Sequence, residues 1–160
     1  MAKLSDLKLR YRIYMEAYRY RQLDWRPGAT LHKRLSQSQV AVVTTAAFFR
    51  PDQSPFDESI RGGDYSFREI PADTDLPSLG TAHKSDAFDH AGIDSDKNLA
   101  LPLDRLRELA AEGRIGSVAP RHFSLMGSIS APARLMKITA PEIVRRISED
   151  RVDAVLLTPV

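Results

Sequence analysis

Two short apolar runs rich in β-branched residues stand far apart in the chain, Val40-Ala41-Val42-Val43 and Ala154-Val155-Leu156-Leu157. Neither alternates with polar residues, which is the pattern of a strand covered on both faces in a parallel sheet. The first runs into Thr44-Thr45-Ala46-Ala47, small and hydroxyl residues suited to the loop at a strand's carboxyl end. The second runs into Thr158-Pro159-Val160, a turn of the kind that normally opens onto a helix. In α/β sheets ligands collect just beyond these carboxyl ends.

Helical periodicity lies between the two runs. Leu103, Leu106, Leu109 and Ala110 share one face of a segment that opens with Pro102 and closes with Gly113, a residue able to take a left-handed C-cap. Thr139-Ala140-Pro141-Glu142 is a capping-box signature and predicts a helix starting there, with Ile143, Val144 and Ile147 inward and Arg145 and Arg146 outward. Asp150-Arg151 then turns the chain into the last strand. Strands bracketing amphipathic helices predict an α/β fold: a three-layer sandwich with a mostly parallel sheet, Rossmann-like or flavodoxin-like, incomplete at the C-terminus. Val40–Val43 and Ala154–Leu157 are expected to be parallel strands of that sheet.

The rest is less regular. From Phe49 to about Leu101 Pro, Gly, Asp and Ser abound, over a span far longer than an ordinary connection. It reads as a functional insert with short elements or as a lid; within it Tyr65–Pro71 alternates like an edge strand. Ile115 to Met126 is ambiguous, because Pro120-Arg121-His122 breaks any simple period. The division expected is an arm over 1–36 and an α/β domain over 37–160 with the insert at about 49–101.

Charge sharpens the picture of the arm. The net charge is only +2, yet residues 1–34 hold nine Lys or Arg against three acids. Tyr11, Tyr14, Tyr18, Tyr20 and Trp25 are threaded among them, and Leu7, Tyr11, Tyr14 and Tyr18 form a helical stripe. Such a helix lies on protein surface, its own or a partner's, with Arg stems and rings covering apolar groups. Nucleic-acid binding is the weaker reading, since no recognition motif accompanies it. At 42% hydrophobic and 28% charged, the composition is that of a soluble globular domain. No apolar run reaches the length of a bilayer span, and no signal-peptide h-region opens the chain. The chain contains no cysteine, so these residues hold no disulfide, thiolate metal site or cysteine nucleophile. The expectations are therefore a cytoplasmic protein, no membrane, no nucleic acid and no cofactor of its own.

Candidate chemistry is concentrated in two places. His83 and His90 stand with Asp86 and Asp89 in one short stretch, and Asp94 and Asp96 follow. Imidazoles and carboxylates suit zinc or iron, but the spacing fits no known metal frame, so a polar loop without metal is the favoured reading. A substrate contact through His83 or His90 stays open. Arg121-His122 follows Pro120 where a strand-to-helix loop is expected: Arg121 would clamp a substrate carboxylate and His122 would move a proton. The competing reading is structural, with Arg121 paired to an acid and His122 bonded to backbone. Thr44 and Thr45 complete the candidate substrate-binding set. Gly62-Gly63-Asp64 is expected to be a turn, and no serine has a nucleophile elbow around it.

Several blocks recur in this order in one family: Val42-Val43-Thr44-Thr45, Gly63 to Pro71, the His83…Asp89-His90…Asp94 loop, Pro102 to Leu106, Pro120 to Gly127 and Asp153 to Val160. Together they resemble selenoprotein B of the glycine/betaine/sarcosine/D-proline reductases, from about Val40 to Val160, without marking the substrate branch. The resemblance implies that the Thr-Pro-Val strand is followed directly by a selenocysteine-x-x-Cys or Cys-x-x-Cys redox motif, which this chain stops short of by one residue. Selenocysteine is encoded by UGA, so the expectation is a reading frame ended at that codon and a product inactive alone. A selenol or thiol at a strand-to-helix turn faces the helix N-terminus, whose partial positive charge favours the anion. The resemblance further implies other reductase-complex subunits as partners, one of which forms an imine from substrate through a bound carbonyl group. The selenolate then attacks the substrate α-carbon and the C–N bond breaks. A homo-oligomer stays open, as does the alternative of a non-catalytic binding or assembly module acting through the basic arm.

Overall fold

The strand read from Val40–Val43 is the centre of the main sheet in the computed structural model, which describes residues 8–18, 24, 28–85 and 90–160. This strand, β1 (Gln39–Thr44), buries Val40, Ala41, Val42 and Thr44. Along one edge it pairs in parallel with β7 (Ala154–Thr158), from Val40 opposite Ala154 to Thr44 opposite Thr158. Val40 also faces Val118 of β5 (Ser117–Val118), and Val43 also faces Phe123 of β6 (Arg121–Leu125), both in parallel. A residue has two ladder sides, so β5 and β6 follow one another along the edge of β1 away from β7. Outside β6 lies β3 (Phe67–Pro71), antiparallel, the strand expected from the alternation of Tyr65–Pro71.

Helices cover both faces of this mixed, mostly parallel sheet, which makes the fold a three-layer α/β sandwich. On one face Val40, Val42 and Ile70 pack with Leu103 and Leu106 of α3 (Leu103–Ala111) and with Ile93 of α2 (His90–Ser95). Burying each large aliphatic side chain here contributes roughly 1.5–3 kcal/mol. Gly113 takes φ +70°, closing α3 as its sequence predicts. On the other face Phe123 stacks obliquely on Phe67, ring centroids 5.9 Å apart, and Arg146 of α4 (Ala140–Glu149) lies 5.0 Å over the Phe67 ring. The long irregular span carries a small antiparallel pair, β2 (Phe48–Phe49) and β4 (Gly80–Thr81). Gly80 is required there, since a Cβ would fall 2.4 Å from the Phe49 ring.

Four expectations are corrected. On α4 Val144 is exposed rather than inward, and Arg146 turns in over Phe67. The capping box does not form: Thr139 is already helical, at the end of a π-helical turn over Leu135–Thr139, and its hydroxyl donates to the Tyr65 carbonyl instead. Glu142 turns to Arg145 and Arg146. Arg121 and His122 are not in a strand-to-helix loop but open β6; Ala119 and Pro120 form the short link between β5, which ends at Val118, and β6, so Pro120 sits outside both ladders and its missing N–H costs no pairing. Finally, β7 is not buried on both faces. Val155, Leu156 and Leu157 are 39%, 41% and 67% exposed, because β7 is an edge strand with no further strand beside it among the described residues.

The described residues fall into two compact units, the first ending at Thr30 and the second running from Leu31 to Val160. The first contains α1 (Leu9–Ala17), none of whose residues is buried. Tyr14 and Tyr18 rings lie 5.6 Å apart on it, and Arg12 pairs with Glu16 at 2.8 Å. Leu7, Tyr20 and Trp25 of the expected stripe and aromatic set lie outside the described residues.

Candidate functional site

The carboxyl ends of β1, β6 and β7 meet at Thr44, Thr45, Gly127 and Val160. The Thr45 hydroxyl accepts the Val160 amide at 3.0 Å and donates to the Val160 carbonyl at 3.3 Å. Thr44 donates its hydroxyl to the Thr158 carbonyl at 3.4 Å and accepts the Ala46 amide at 3.2 Å. The Gly127 amide donates to the Thr45 carbonyl at 2.8 Å, closing the end of β6 onto β1. The two threonines thus tie β7 to β1 at the level where an α/β sheet presents its ligands.

His83 is brought to the same place by the small antiparallel β2–β4 pair. Ala47, at φ +54°, donates to the Leu125 carbonyl and accepts the Ala82 amide, so the chain leaving β4 is pinned beside the ends of β1 and β6. The next residue, His83, is buried, and its Nδ1 accepts the Ser85 amide at 3.2 Å. The neutral ring therefore carries its hydrogen on Nε2. Burial and the neighbouring charge of His90 lower the His83 pKa, with Glu58 opposing. Nε2 lies over Gly127: a Cβ on that glycine would stand 2.6 Å from Nε2 and 3.2 Å from the carbonyl oxygens of Thr45 and Val160. His90, exposed at the start of α2, is within electrostatic reach of His83. Asp86 and Asp89 lie outside the described residues, and among the described residues no group of three or more His, Asp or Glu side chains gathers as a metal site would require.

Arg121 and His122 are placed elsewhere. Ser124, not Arg121, stands opposite Thr44, so Arg121 lies three residues back toward the amino end of the sheet. Its guanidinium donates to Asp150 at 2.6 and 3.1 Å, to Glu149 at 3.3 Å and to Glu69 at 3.4 Å, and its pKa is raised chiefly by the hydrogen bond to Asp150. The His122 ring is wholly buried, Nδ1 accepting the Val42 amide at 3.0 Å. Burial, aided by the charge of Arg107, pushes its pKa down to about 4, so it is neutral at pH 7. The sequence reading passed over Gly127. Its signal was a glycine two residues past the Leu125 end of β6, at a point where other groups must approach the backbone.

The family model for glycine/sarcosine/betaine reductase selenoprotein B matches residues 6–160. The chain belongs to this family. It is 35% identical over 134 residues to the D-proline reductase subunit gamma of Acetoanaerobium sticklandii, covering 84% of this chain and 52% of that subunit. It is 34% identical to the betaine reductase complex component B subunit beta of Peptoclostridium acidaminophilum, covering 79% and 29% of the two chains. To the glycine reductase complex component B subunit gamma of the same organism it is 32% identical, covering 82% and 30%. The chain thus spans about half the length of the first relative and under a third of the others. No solved structure matches it. No helix among the described residues is long and apolar enough to cross a membrane.

Proposed function

We propose that these 160 residues are the N-terminal portion of a selenoprotein B-like reductase subunit acting in a complex on a glycine, betaine, sarcosine or D-proline type substrate. The single observation carrying this is the family match over residues 6–160. In this reading the soft nucleophile is a selenocysteine or cysteine that follows the position of Val160, and the chain without it is inactive. The anion forms a bond to the substrate α-carbon, the C–N bond breaks, and the nitrogen departs with the bonding pair and takes up a proton. Where the substrate nitrogen is a primary or secondary amine, a separate subunit bearing a carbonyl group condenses with it beforehand.

The substrate-facing surface is the end of the sheet where Thr44, Thr45, His83 and Val160 meet, with His90 alongside. His83, neutral and with its hydrogen on Nε2, donates a hydrogen bond toward the reacting centre without adding a positive charge that would trap the anionic nucleophile. Thr45 fixes the last residue of the strand, and with it the direction in which the nucleophile is presented. Arg121 and His122 belong to the framework rather than to this surface, Arg121 through its acids and His122 through Val42.

The nucleotides after the Val160 codon test the proposal. An in-frame TGA, or a cysteine codon, followed by two codons and then cysteine is expected. An ordinary stop without downstream coding similarity would sink it, and would leave an assembly module acting through the exposed Arg and Tyr side chains of α1. Purified 1–160 material is expected to show no reductase turnover.

A further inference from the structure

Beside the strand-end cluster, a separate cavity of about 350 Å³ opens between the 60–65 turn and the chain that follows β6. Its walls include Arg61, Gly62, Gly63, Tyr65, Ala131 and Arg134. The volume is at the lower end of the roughly 300–1,000 Å³ typical of small-molecule sites. It is built rather than incidental. Gly62 and Gly63 take φ of +98° and +96°, which only glycine adopts freely. The Ala131 amide donates to the Gly62 carbonyl at 3.1 Å, and a Cβ on Gly62 would stand 2.8 Å from the Ala131 methyl. Two loops are thereby locked together with the cavity between them.

The charge in this cavity is one-sided. Arg61 and Arg134 are the charged side chains in the cavity wall, and neither makes an ion pair among the described residues. The Arg134 guanidinium stands 5.4 Å over the Tyr65 ring, which fixes it by cation–π attraction. Lys84 adds a third cation at the rim, its Nζ donating to the Ile60 carbonyl at 2.9 Å. Of the acids in the same stretch, Asp64 accepts the amides of Asp57 and Ser66 at 2.9 and 2.8 Å, and Asp57 accepts the amide and hydroxyl of Ser59 while its charge faces Lys84. Neither lines the cavity.

We propose that this cavity binds a small oxyanion, a carboxylate or a phosphate group, gripped by Arg61 and Arg134, with the remainder of the ligand against Tyr65 and Ala131. Two guanidinium forks suit an oxyanion because each can offer paired N–H groups to it. The cavity is distinct from the His83 cluster and binding is read without turnover, so the outcome is independent of the reductase assignment.

The test is titration of the 160-residue chain with sodium acetate and, separately, with sodium phosphate at fixed ionic strength, followed by the amide resonances of Gly62, Gly63 and Ala131. Saturating shifts are expected, weakened about tenfold or more in the double variant Arg61→Ala/Arg134→Ala and unchanged in Arg105→Ala. Both cavity arginines are exposed, so the remaining amide spectrum of the variant is expected to keep its dispersion. Saturation by acetate alone identifies a carboxylate ligand, and saturation by phosphate alone identifies a phosphorylated one. A non-saturating response to both, or equal affinity in the double variant, would overturn the proposal.

Discussion

The imidazole of His122 accepts the backbone amide of Val42 through Nδ1 at 3.0 Å, standing in for a carbonyl where the β1–β6 ladder is interrupted after Pro120. That bond exists only while the ring is neutral, because the imidazolium has no lone pair to accept with.

Acid should therefore destabilise the fold through His122. Its pKa falls from an ordinary 6.5 to about 4 on folding. Between those values the unfolded chain binds a proton that the folded chain refuses, so stability is full above pH 6.5 and declines as pH falls toward 4. The loss over the whole window is of order 3 kcal/mol. Urea unfolding at pH 7.5 and 4.5 measures it, and His122→Phe should be less stable at neutral pH but show a shallower acid decline. His83, also lowered, adds a loss of the same sign. An unchanged decline in His122→Phe would assign the acid sensitivity to other groups.

Gly127→Ala should disturb His83 specifically. The added methyl falls 2.6 Å from Nε2, a distance that forces the ring to move. We expect a stability loss of about 1–3 kcal/mol and a His83 titration displaced toward the ordinary range as the ring leaves its buried position. Imidazole carbon-bound proton shifts followed against pH read this directly. A His83 titration identical to the parent's would show that the strand end yields instead.

Arg121→Ala should cost stability of about 1–2 kcal/mol, and less at high salt, because Asp150, Glu69 and Glu149 lose a shared cation. In a protein restored to full length, activity should fall in proportion to the folded fraction. A large loss of activity with stability intact would instead make Arg121 a substrate contact.

Leu157→Lys separates the edge strand from the doubly buried strand that its sequence suggests. At 67% exposure the substitution should change stability by less than about 0.5 kcal/mol, as chemical denaturation would show. A loss of several kcal/mol would mean that Leu157 is covered in solution.

Much of the architecture was legible in the residues alone. The β-branched run at Val40–Val43, the Leu103-Leu106 stripe closed by Gly113, and the alternation of Tyr65–Pro71 each carry their structure locally, through periodicity and backbone preference. The ordered blocks from Val42 to Val160 carried the family. What they left undecided is a matter of distance in space. Pro120 is the link residue it looks like, but only with β1 laid alongside does the chain on either side of it become strand, with the His122 side chain accepting the Val42 amide. Thr139 and Glu142 satisfy a capping pattern until Tyr65, Arg145 and Arg146 offer them other partners. The apolar run Val155–Leu157 specifies a strand, but burial depends on what stands beside and above it, which no local pattern contains. His83 lies 77 residues before Val160 in the chain. Only the pinning of Ala82 to Ala47 brings its ring over Gly127. Local sequence determines backbone geometry because its interactions span a few residues; the meeting of Thr45, His83, Gly127 and Val160 depends on packing between elements remote in sequence, which tertiary structure alone decides.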